Sequence, residues 1–526
     1  MAENKHRHLT KEEVDFILKN LDTMSNKEIA RELYIPRDIV QKYRENAAFK
    51  KATLHFTELV PADKFPVAKI KKALPWVVFT AILLLAIDLR HHTFNLPHYR
   101  GDQHHYAGLA FKLATQGING YNLRGIDVYV SKQFPDLITI APAKDKGYIL
   151  KSLEEGGITY YDEPLHHIPF GFPAALLISH SIFAFNSPFH LLAVNERDAM
   201  KPVVGLKNFR FNPEIAGKQF YAVIVPLFFS FLMICLVYFM AKILFNDEWI
   251  ALTAMFLMTI SPVDIMTSQK VWADDMTAGL ATLGAFLYIV SIRNERPVMS
   301  LLGGIFCGFS VITKQNGAII PFSIVVWHYL SNMDNIFKKG TFLKTIFDKH
   351  IILFCFGTVL SSAYWFIKVY SIYGDILYRP SQDNLTEVAK TDWFKMVQNR
   401  PKHLYLLGIP YQNPLFGLAY IAPLWLWLKK QEYKNLLFAV VWLASAFFLA
   451  YRFFTGEHRY MLPAYPAFAI LGAYVANRLR ELINARTSSP AGTALLLVIL
   501  AVSAFWGVPM ALDVLFHDGA LIMRPF

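Results

Sequence analysis

The sequence predicts an all-α polytopic membrane protein of about 11 transmembrane helices, each needing ~20 mostly apolar residues. It also predicts juxtamembrane helices on the outer face and a small cytosolic helical module at the N-terminus. Three observations lead there. Of 526 residues, 54% are hydrophobic and only 17% charged, against about 25% charged in an average soluble protein; the mean hydropathy is +0.31. Apolar runs of near-spanning length recur from residue 74 to residue 513. The basic residues behind the formal net charge of +12 cluster in short loops between those runs, which is how orientation is written in membrane proteins. Cys235, Cys307 and Cys355 are scattered through apolar stretches and form no CxxC pair, so neither a disulfide framework nor a cysteine metal site is expected.

Residues 1–72 are polar and read as a cytosolic three-helix module. Thr10-Lys11-Glu12-Glu13 and Ser25-Asn26-Lys27-Glu28 are capping boxes that each start a helix, and a third helix begins near Pro36. Residues 25–45 resemble a helix-turn-helix, with Ile29, Ala30, Leu33, Ile35 and Val40 as its core. Such a module packs on the membrane domain or a partner, or it reads DNA; nucleic acid is the less expected partner. No cleavable signal is visible, so the first span acts as an uncleaved insertion signal.

That span runs from 74 to 87 and on toward 94. Further spans are expected at 219–241, 249–267, 276–292, 300–313, 317–331, 351–372, 413–428, 436–453, 461–477 and 493–513. The two beside Lys314 are short for full crossings and read as tilted or broken helices lining a cavity. With the N-terminus inside, alternation gives the inside loops Lys242, Arg293, Arg296, Lys338, Lys339, Lys344, Lys349, Lys429, Lys430, Lys434, Arg478, Arg480 and Arg486, a consistent positive-inside pattern. The C-terminus then ends outside. The scheme requires that the apolar run 167–185, with Pro164, Pro169 and Pro173 in or beside it, be an interfacial or re-entrant helix rather than a crossing. Segments 95–218 and 373–412 are then outer loops, and loops this long usually carry function.

Four polar constellations stand out. Asp102 sits just beyond the first span, before an amphipathic helix whose Leu109, Phe111 and Leu113 suit a membrane surface; its carboxylate either accepts a proton from a nucleophile or caps the helix. Asp274 and Asp275 lie where one span leaves the membrane and the next enters. They are end-caps or functional acids, since ionisable groups at membrane depth are functional candidates. Lys314 and Gln315 interrupt an apolar stretch, so the lysine snorkels, pairs with a carboxylate or meets an anion such as a lipid phosphate. Glu457, His458, Arg459 and Tyr460 close the outer end of a span; Arg459 has the planar fork that grips phosphate, or it anchors the interface. His104, His105, His166 and His167 lack the i, i+4 spacing that would aim two imidazoles at one zinc ion. Asn384-Leu385-Thr386 matches a glycosylation sequon.

Taken in order, these segments resemble the GT-C-type integral membrane glycosyltransferases that use polyprenyl-phosphate sugars. That group includes the dolichyl-phosphate-mannose protein mannosyltransferases and the lipid A aminoarabinose transferase. The family's acidic motif, Tyr-x-x-x-Ala helix and glycine are Asp102-Gln103, Tyr106, Ala110 and Gly117 here; its proline-rich apolar segment starts at Glu163-Pro164-Leu165. Its Ser-Pro and Ser-Arg-x-x-x-x-Asp patterns are Ser261-Pro262 and Ser268-Gln269 through Asp274. Its lysine motif is Gly308-Phe309 with Thr313-Lys314, and its Arg-Tyr-x-x-Pro is Arg459-Tyr460 with Pro463. The resemblance spans residues 74–480 or so. The chain departs from the pattern at Gln103, where a glutamate is common, and at Gln269, where an arginine is common and Lys270 follows.

The resemblance implies a site on the non-cytoplasmic face. Asp102 and Asp274 would be catalytic, and Lys314 and Arg459 would bind the donor phosphate. Gln103, Tyr106, Asp275, Gln315, His458 and Tyr460 would support them. The reaction would move a sugar from the lipid carrier to a lipid, glycan or protein acceptor with inversion. No cofactor or metal is indicated, since the lipid-phosphate sugar is already activated, though a divalent ion stays open. The expected setting is a prokaryotic inner or plasma membrane. Two other classes stay open: a transporter or lipid flippase, which would show midplane polar pairs and repeats, and an inactive membrane-anchored binding or regulatory protein.

Overall fold

The computed structural model describes residues 16, 20, 24–33, 40–41, 67–96, 102–122, 126–130, 137–142, 165, 168–185, 187–192, 213–338, 340–376, 404–428, 433–453, 458–487 and 490–516. The chain divides into two compact units, Met1–Val77 and Val78–Phe526. In the first, α1 (Asn26–Glu32) forms where the second capping box predicts it: Ser25 N donates to Glu28 Oε2 at 2.7 Å and Glu28 N donates back to Ser25 Oγ at 3.3 Å. Ile29 and Val40 are fully buried. The capping box at 10–13, the third helix near Pro36, and Ile35 lie outside the described residues, as do Glu163, Pro164, His166, His167, the sequon at Asn384, and Glu457.

The first long helix is α2 (Val67–Arg90), followed by α3 (Asp102–Gln116), α4 (Gly171–Phe183) and α5 (Pro213–Phe245). Then come α6 (Glu248–Thr259), α7 (Pro262–Thr267), α8 (Asp274–Asn294), α9 (Pro297–Thr313), α10 (Ile319–Ser331) and α11 (Lys349–Tyr373). Further along the chain come α12 (Leu404–Gln412), α13 (Ala422–Leu428), α14 (Tyr433–Phe453), α15 (Tyr465–Thr487) and α16 (Ala491–Phe516). Among the described residues, six helical stretches are long and apolar enough to cross a membrane: Ala73–Phe94, Ala216–Phe245, Asp274–Asn294, Phe342–Tyr373, Tyr433–Tyr451 and Ala491–Leu512. The chain is therefore an integral membrane protein. Their outer faces carry large exposed apolar side chains, such as Ile352, Phe356, Val359 and Ile367 on α11 and Val498, Val502 and Phe505 on α16, as a lipid-facing surface requires.

Two features differ from the all-helical expectation. Residues 126–192 include an antiparallel sheet of order β1-β2-β3, with β1 Ile126–Val130, β2 Leu137–Pro142 and β3 Phe189–Leu192. Ile126 pairs with Pro142, and Ile140 with Phe189. Ile126, Ile140, Phe189 and Leu191 are buried in one cluster with Tyr106, Ala107 and Ala110 of α3, Phe172 and Leu176 of α4, and Tyr221 of α5. β-Branched residues on a half-buried surface favour strands, and the sheet covers the end of the bundle that α3 and α4 also cover. Consequently α3 is not a simple surface helix: Leu109 is fully buried in a second cluster with Ile312 and Trp365. The run 167–185 yields a helix of only 13 residues, about 20 Å long, which is too short to span and packs against α3 and α5.

Close packing holds α9 between its neighbours. A Cβ at Gly304 would overlap the Phe354 carbonyl oxygen of α11, so only glycine permits this approach, the usual device where helices meet in a membrane. Gly304→Leu is expected to destabilise the protein by about 1–3 kcal/mol or more through overpacking. Thermal melting of the purified protein in detergent checks this, and an unchanged midpoint would contradict the packing.

The helix ends sort by charge. Lys242, at the end of α5, pairs with Glu248 at 3.1 Å. Arg293 Nη2, from the end of α8, and Asn435 Nδ2, from the start of α14, both donate to Leu244 O, at 3.4 and 2.7 Å. Ser291 Oγ of α8 hydrogen-bonds His350 Nδ1 at the start of α11 (2.8 Å). The end of the bundle holding Lys242, Arg293, Lys349 and Lys434 is thus opposite the end where α2 finishes, α8 starts and α9 finishes.

Candidate active site

At that second end, four chain segments converge. The α9 helix stops because Lys314 takes an extended conformation (φ −158°, ψ 137°), after which Gln315–Ala318 forms a 3-10 turn into α10. The expected break thus falls at the lysine itself. Ser310 Oγ donates to Thr277 O at 2.8 Å, fastening the end of α9 to the start of α8. This brings Lys314 Nζ to 2.6 Å from Asp274 Oδ1. Asp274 is fully buried and Lys314 is 16% exposed, so the lysine pairs rather than snorkels.

The second pair is more open. Asp102 Oδ2 lies 3.0 Å from Arg459 Nη1, with the aspartate side chain 40% exposed and the arginine 11%. Arg459 opens the 3-10 segment His458–Ala464 that links α14 to α15. Its guanidinium lies 4.4 Å from the Trp272 ring centroid and 5.4 Å from that of Tyr460. Lys314 Nζ sits 4.4 Å from the same Tyr460 ring. Such cation–π contacts are worth roughly 0.5–2 kcal/mol each. Two carboxylates and two cations therefore share one aromatic-walled place, with no excess charge among the four. Magnitude separates the pairs. A partly exposed ion pair contributes about 1 kcal/mol, whereas removing one partner of a buried pair costs about 3–5 kcal/mol. The Asp102–Arg459 pair is the one an incoming anion can open.

Burial alone would raise the Asp102 carboxyl, but Arg459 facing it, with His105 and Lys314 nearby, overrides that and holds it at about 2. Burial, reinforced by the Asp102 and Asp274 carboxylates, pushes the Tyr106 phenol well above its ordinary value, so it remains a protonated donor. Tyr106 packs edge-on against Phe172, ring centroids 4.9 Å apart.

The remaining expected residues divide. Gln103 is 2% exposed, and its Oε1 accepts a hydrogen bond from Val271 N at 2.9 Å. It ties α3 to the segment carrying Trp272 and Asp274, a task that needs an amide or carboxylate oxygen but no charge. Neither aspartate of α8 acts as an end-cap, because the N-cap is Ala273 and no side chain caps that turn. Asp275 is fully buried and faces Asp264 and Thr267 rather than the two cations. Gln315 is exposed, and its neighbour Asn316 makes the contact instead, donating to Tyr460 O at 2.9 Å. The His458 ring packs on the face of Gly408 in α12 and edge-on to Tyr405. Gln269 is buried and donates to Leu89 O (3.1 Å) and Ile265 O (2.8 Å), so it does not replace the family's arginine as a cation. Asp102, Tyr106, Asp274, Lys314, Arg459 and Tyr460 are brought together.

Sequence reasoning missed Trp272, Asn316, Arg90 and Asp264. Arg90 and Asp264 are fully buried and ion-paired. Arg90 Nε also donates to Ser230 Oγ at 3.0 Å, and its Nη2 to Thr259 O at 3.1 Å. Ser230 Oγ donates to Asp264 Oδ2 at 2.9 Å. This network locks α2, α5, α6 and α7 beside the site. The available signal was an aspartate two residues into the Ser261-Pro262 motif and an arginine ending the first span.

Residues 201–365 match the family model described as dolichyl-phosphate-mannose-protein mannosyltransferase, a segment that holds Asp264, Trp272, Asp274 and Lys314 but neither Asp102 nor Arg459. No curated protein matches the chain. Among solved structures, ArnT from Cupriavidus metallidurans in the apo state is 14% identical, with 86% of this chain and 78% of that chain covered and a TM-score of 0.50. The archaeal oligosaccharyltransferase AglB from Archaeoglobus fulgidus, solved with an inhibitory peptide and a dolichol-phosphate, is 12% identical, with 84% of this chain covered and a TM-score of 0.49. This chain spans 56% of the AglB chain's length. The resemblance read from the motifs is borne out, and the fold is that of the ArnT structure.

Proposed function

We propose that this chain, with the fold of a polyprenyl-phosphate-dependent membrane transferase as the premise, moves a glycosyl group from a polyprenyl-phosphate carrier to an acceptor on the non-cytoplasmic face. The observation that carries the reading is the meeting of the Asp102–Arg459 and Asp274–Lys314 pairs at the end of the bundle opposite Lys242, Arg293, Lys349 and Lys434. Basic ends face the cytoplasm, so the site faces out and the N-terminus in.

The carrier's phosphate takes Arg459 from Asp102, with the guanidinium fork on its oxygens and Lys314 adding positive field from its place on Asp274. Released from Arg459, the Asp102 carboxylate regains basicity and accepts a hydrogen bond from the acceptor's hydroxyl or amine. The acceptor heteroatom attacks the anomeric carbon from the side opposite the phosphate. The bond from that carbon to the phosphate oxygen breaks, its electron pair stays on the phosphate, and the acceptor's proton passes to Asp102. The configuration inverts. Arg459 and Lys314 stabilise the charge that grows on the leaving phosphate, and Asp274 holds Lys314.

The exchange has a pH signature. In the free protein Asp102 titrates at about 2. In the donor complex it loses Arg459 and titrates nearer the ordinary aspartate value of about 3.9 or above. The acid limb of kcat is therefore expected at higher pH than that of kcat/KM for donor; coincident limbs would rule the exchange out.

The direct test uses the purified full chain in nanodiscs with a panel of polyprenyl phosphates carrying labelled sugars and with membrane-lipid, glycan and peptide acceptors. Transfer of label, with free polyprenyl phosphate accumulating, is expected. Translocation without transfer would identify a flippase, and neither would identify a binding or regulatory protein.

A further inference from the structure

We propose that Trp272 is a donor-positioning residue: its indole face holds the Arg459 guanidinium in place while that cation's anionic partner changes from Asp102 to a lipid phosphate. The inference rests on the reading above. It starts from a requirement of that exchange. A cation that changes anionic partners without leaving its place is served by a contact that depends on neither anion.

Trp272 meets that need. It lies in the short link between α7 and α8, two residues before Asp274. Its ring carries Arg459 at 4.4 Å and Lys270 Nζ at 4.9 Å, so two cations use one indole. Stacking occupies the face of a guanidinium and leaves its hydrogen-bonding edge for a carboxylate or a phosphate alike. The link itself is pinned, since Val271 N donates to Gln103 Oε1 at 2.9 Å. The glutamine that departs from the family's glutamate therefore fixes the position of the aromatic shelf and of Asp102 through the same α3 turn.

The test measures binding of undecaprenyl phosphate to the full chain in nanodiscs. Trp272→Leu is expected to weaken binding about 5- to 30-fold, the size of one desolvated cation–π contact. Trp272→Phe keeps a π-face and is expected to recover most of that loss. In an Arg459→Gln background, Trp272→Leu should have almost no further effect, because the two residues act as a unit. A purely structural tryptophan would lose the same factor in both backgrounds, and that result would overturn the proposal, as would Trp272→Leu binding like the wild type. Should Trp272→Leu not purify as a monodisperse protein, Arg459→Lys carries the test. Lysine keeps the charge but cannot stack flat, so a comparable loss is expected and unchanged binding would overturn the proposal. If the wild type itself binds no undecaprenyl phosphate at any concentration tried, the transferase reading fails and this inference with it. That outcome is read on the wild-type arm alone.

Discussion

Asp102→Asn is expected to lower the transfer rate about 10²- to 10⁴-fold, the contribution of a positioned general base, while leaving the protein folded. The fold survives because the carboxylate it replaces is 40% exposed, so the pair is screened by water and worth about 1 kcal/mol, and the asparagine oxygen can still accept from Arg459. The same variant should bind polyprenyl phosphate more tightly than the wild type, since Arg459 no longer has a resident carboxylate to leave. Single-turnover transfer and equilibrium binding measured on one preparation separate the two effects. Wild-type turnover in the variant would remove Asp102 from the mechanism. A parallel fall in binding would mean that Asp102 positions the donor rather than the acceptor.

Arg90→Met is expected to cost the fold about 3–5 kcal/mol, because Asp264 would be left charged and without its ion partner in a fully buried place. Ser230 still donates to that carboxylate, but one neutral hydrogen bond does not replace a guanidinium. Replacing both, Arg90→Met with Asp264→Leu, should recover much of the loss, since a buried ion pair is often no more stabilising than a well-packed apolar pair. Melting of the two variants against the wild type checks this. A single variant as stable as the double would show that Asp264 is not held as an anion by Arg90.

Much of this was legible in the sequence where polarity breaks an apolar run. Lys314, Asp274 and Arg459 stand out because a charge beside a membrane span needs a partner, and the structure supplies a partner for each. The break at Lys314 was likewise readable, since the runs either side are too short to span. The run 167–185, whose prolines and charge parity pointed to an interfacial or re-entrant helix, forms a helix of 13 residues, Gly171–Phe183.

What was not legible depends on long-range contact. The sheet of residues 126–192 was missed because its strands are four to six residues long, too short for alternation to announce itself between polar loops. Arg90 looked like one more residue at a span boundary. Its partner is 174 positions away, and nothing local marks the pairing. Trp272 carried no signal beyond aromaticity, because its role comes from Arg459 arriving from the far end of the chain. Gln103 and Gln269 looked like losses of charge. The contacts they make, to Val271 N and to Leu89 O, are backbone contacts that an uncharged amide makes well.

The central claim is that one outer-face site exchanges a carboxylate for a lipid phosphate on Arg459. The measurement that bears on it most directly is a structure of the full chain in nanodiscs with undecaprenyl phosphate bound. The expected result is a phosphate within hydrogen-bond reach of Arg459 and close to Lys314, with Asp102 parted from the guanidinium and Asp274 still on Lys314. A phosphate bound at the Lys242 and Arg293 end, or bound anywhere while both ion pairs stay closed, would contradict it.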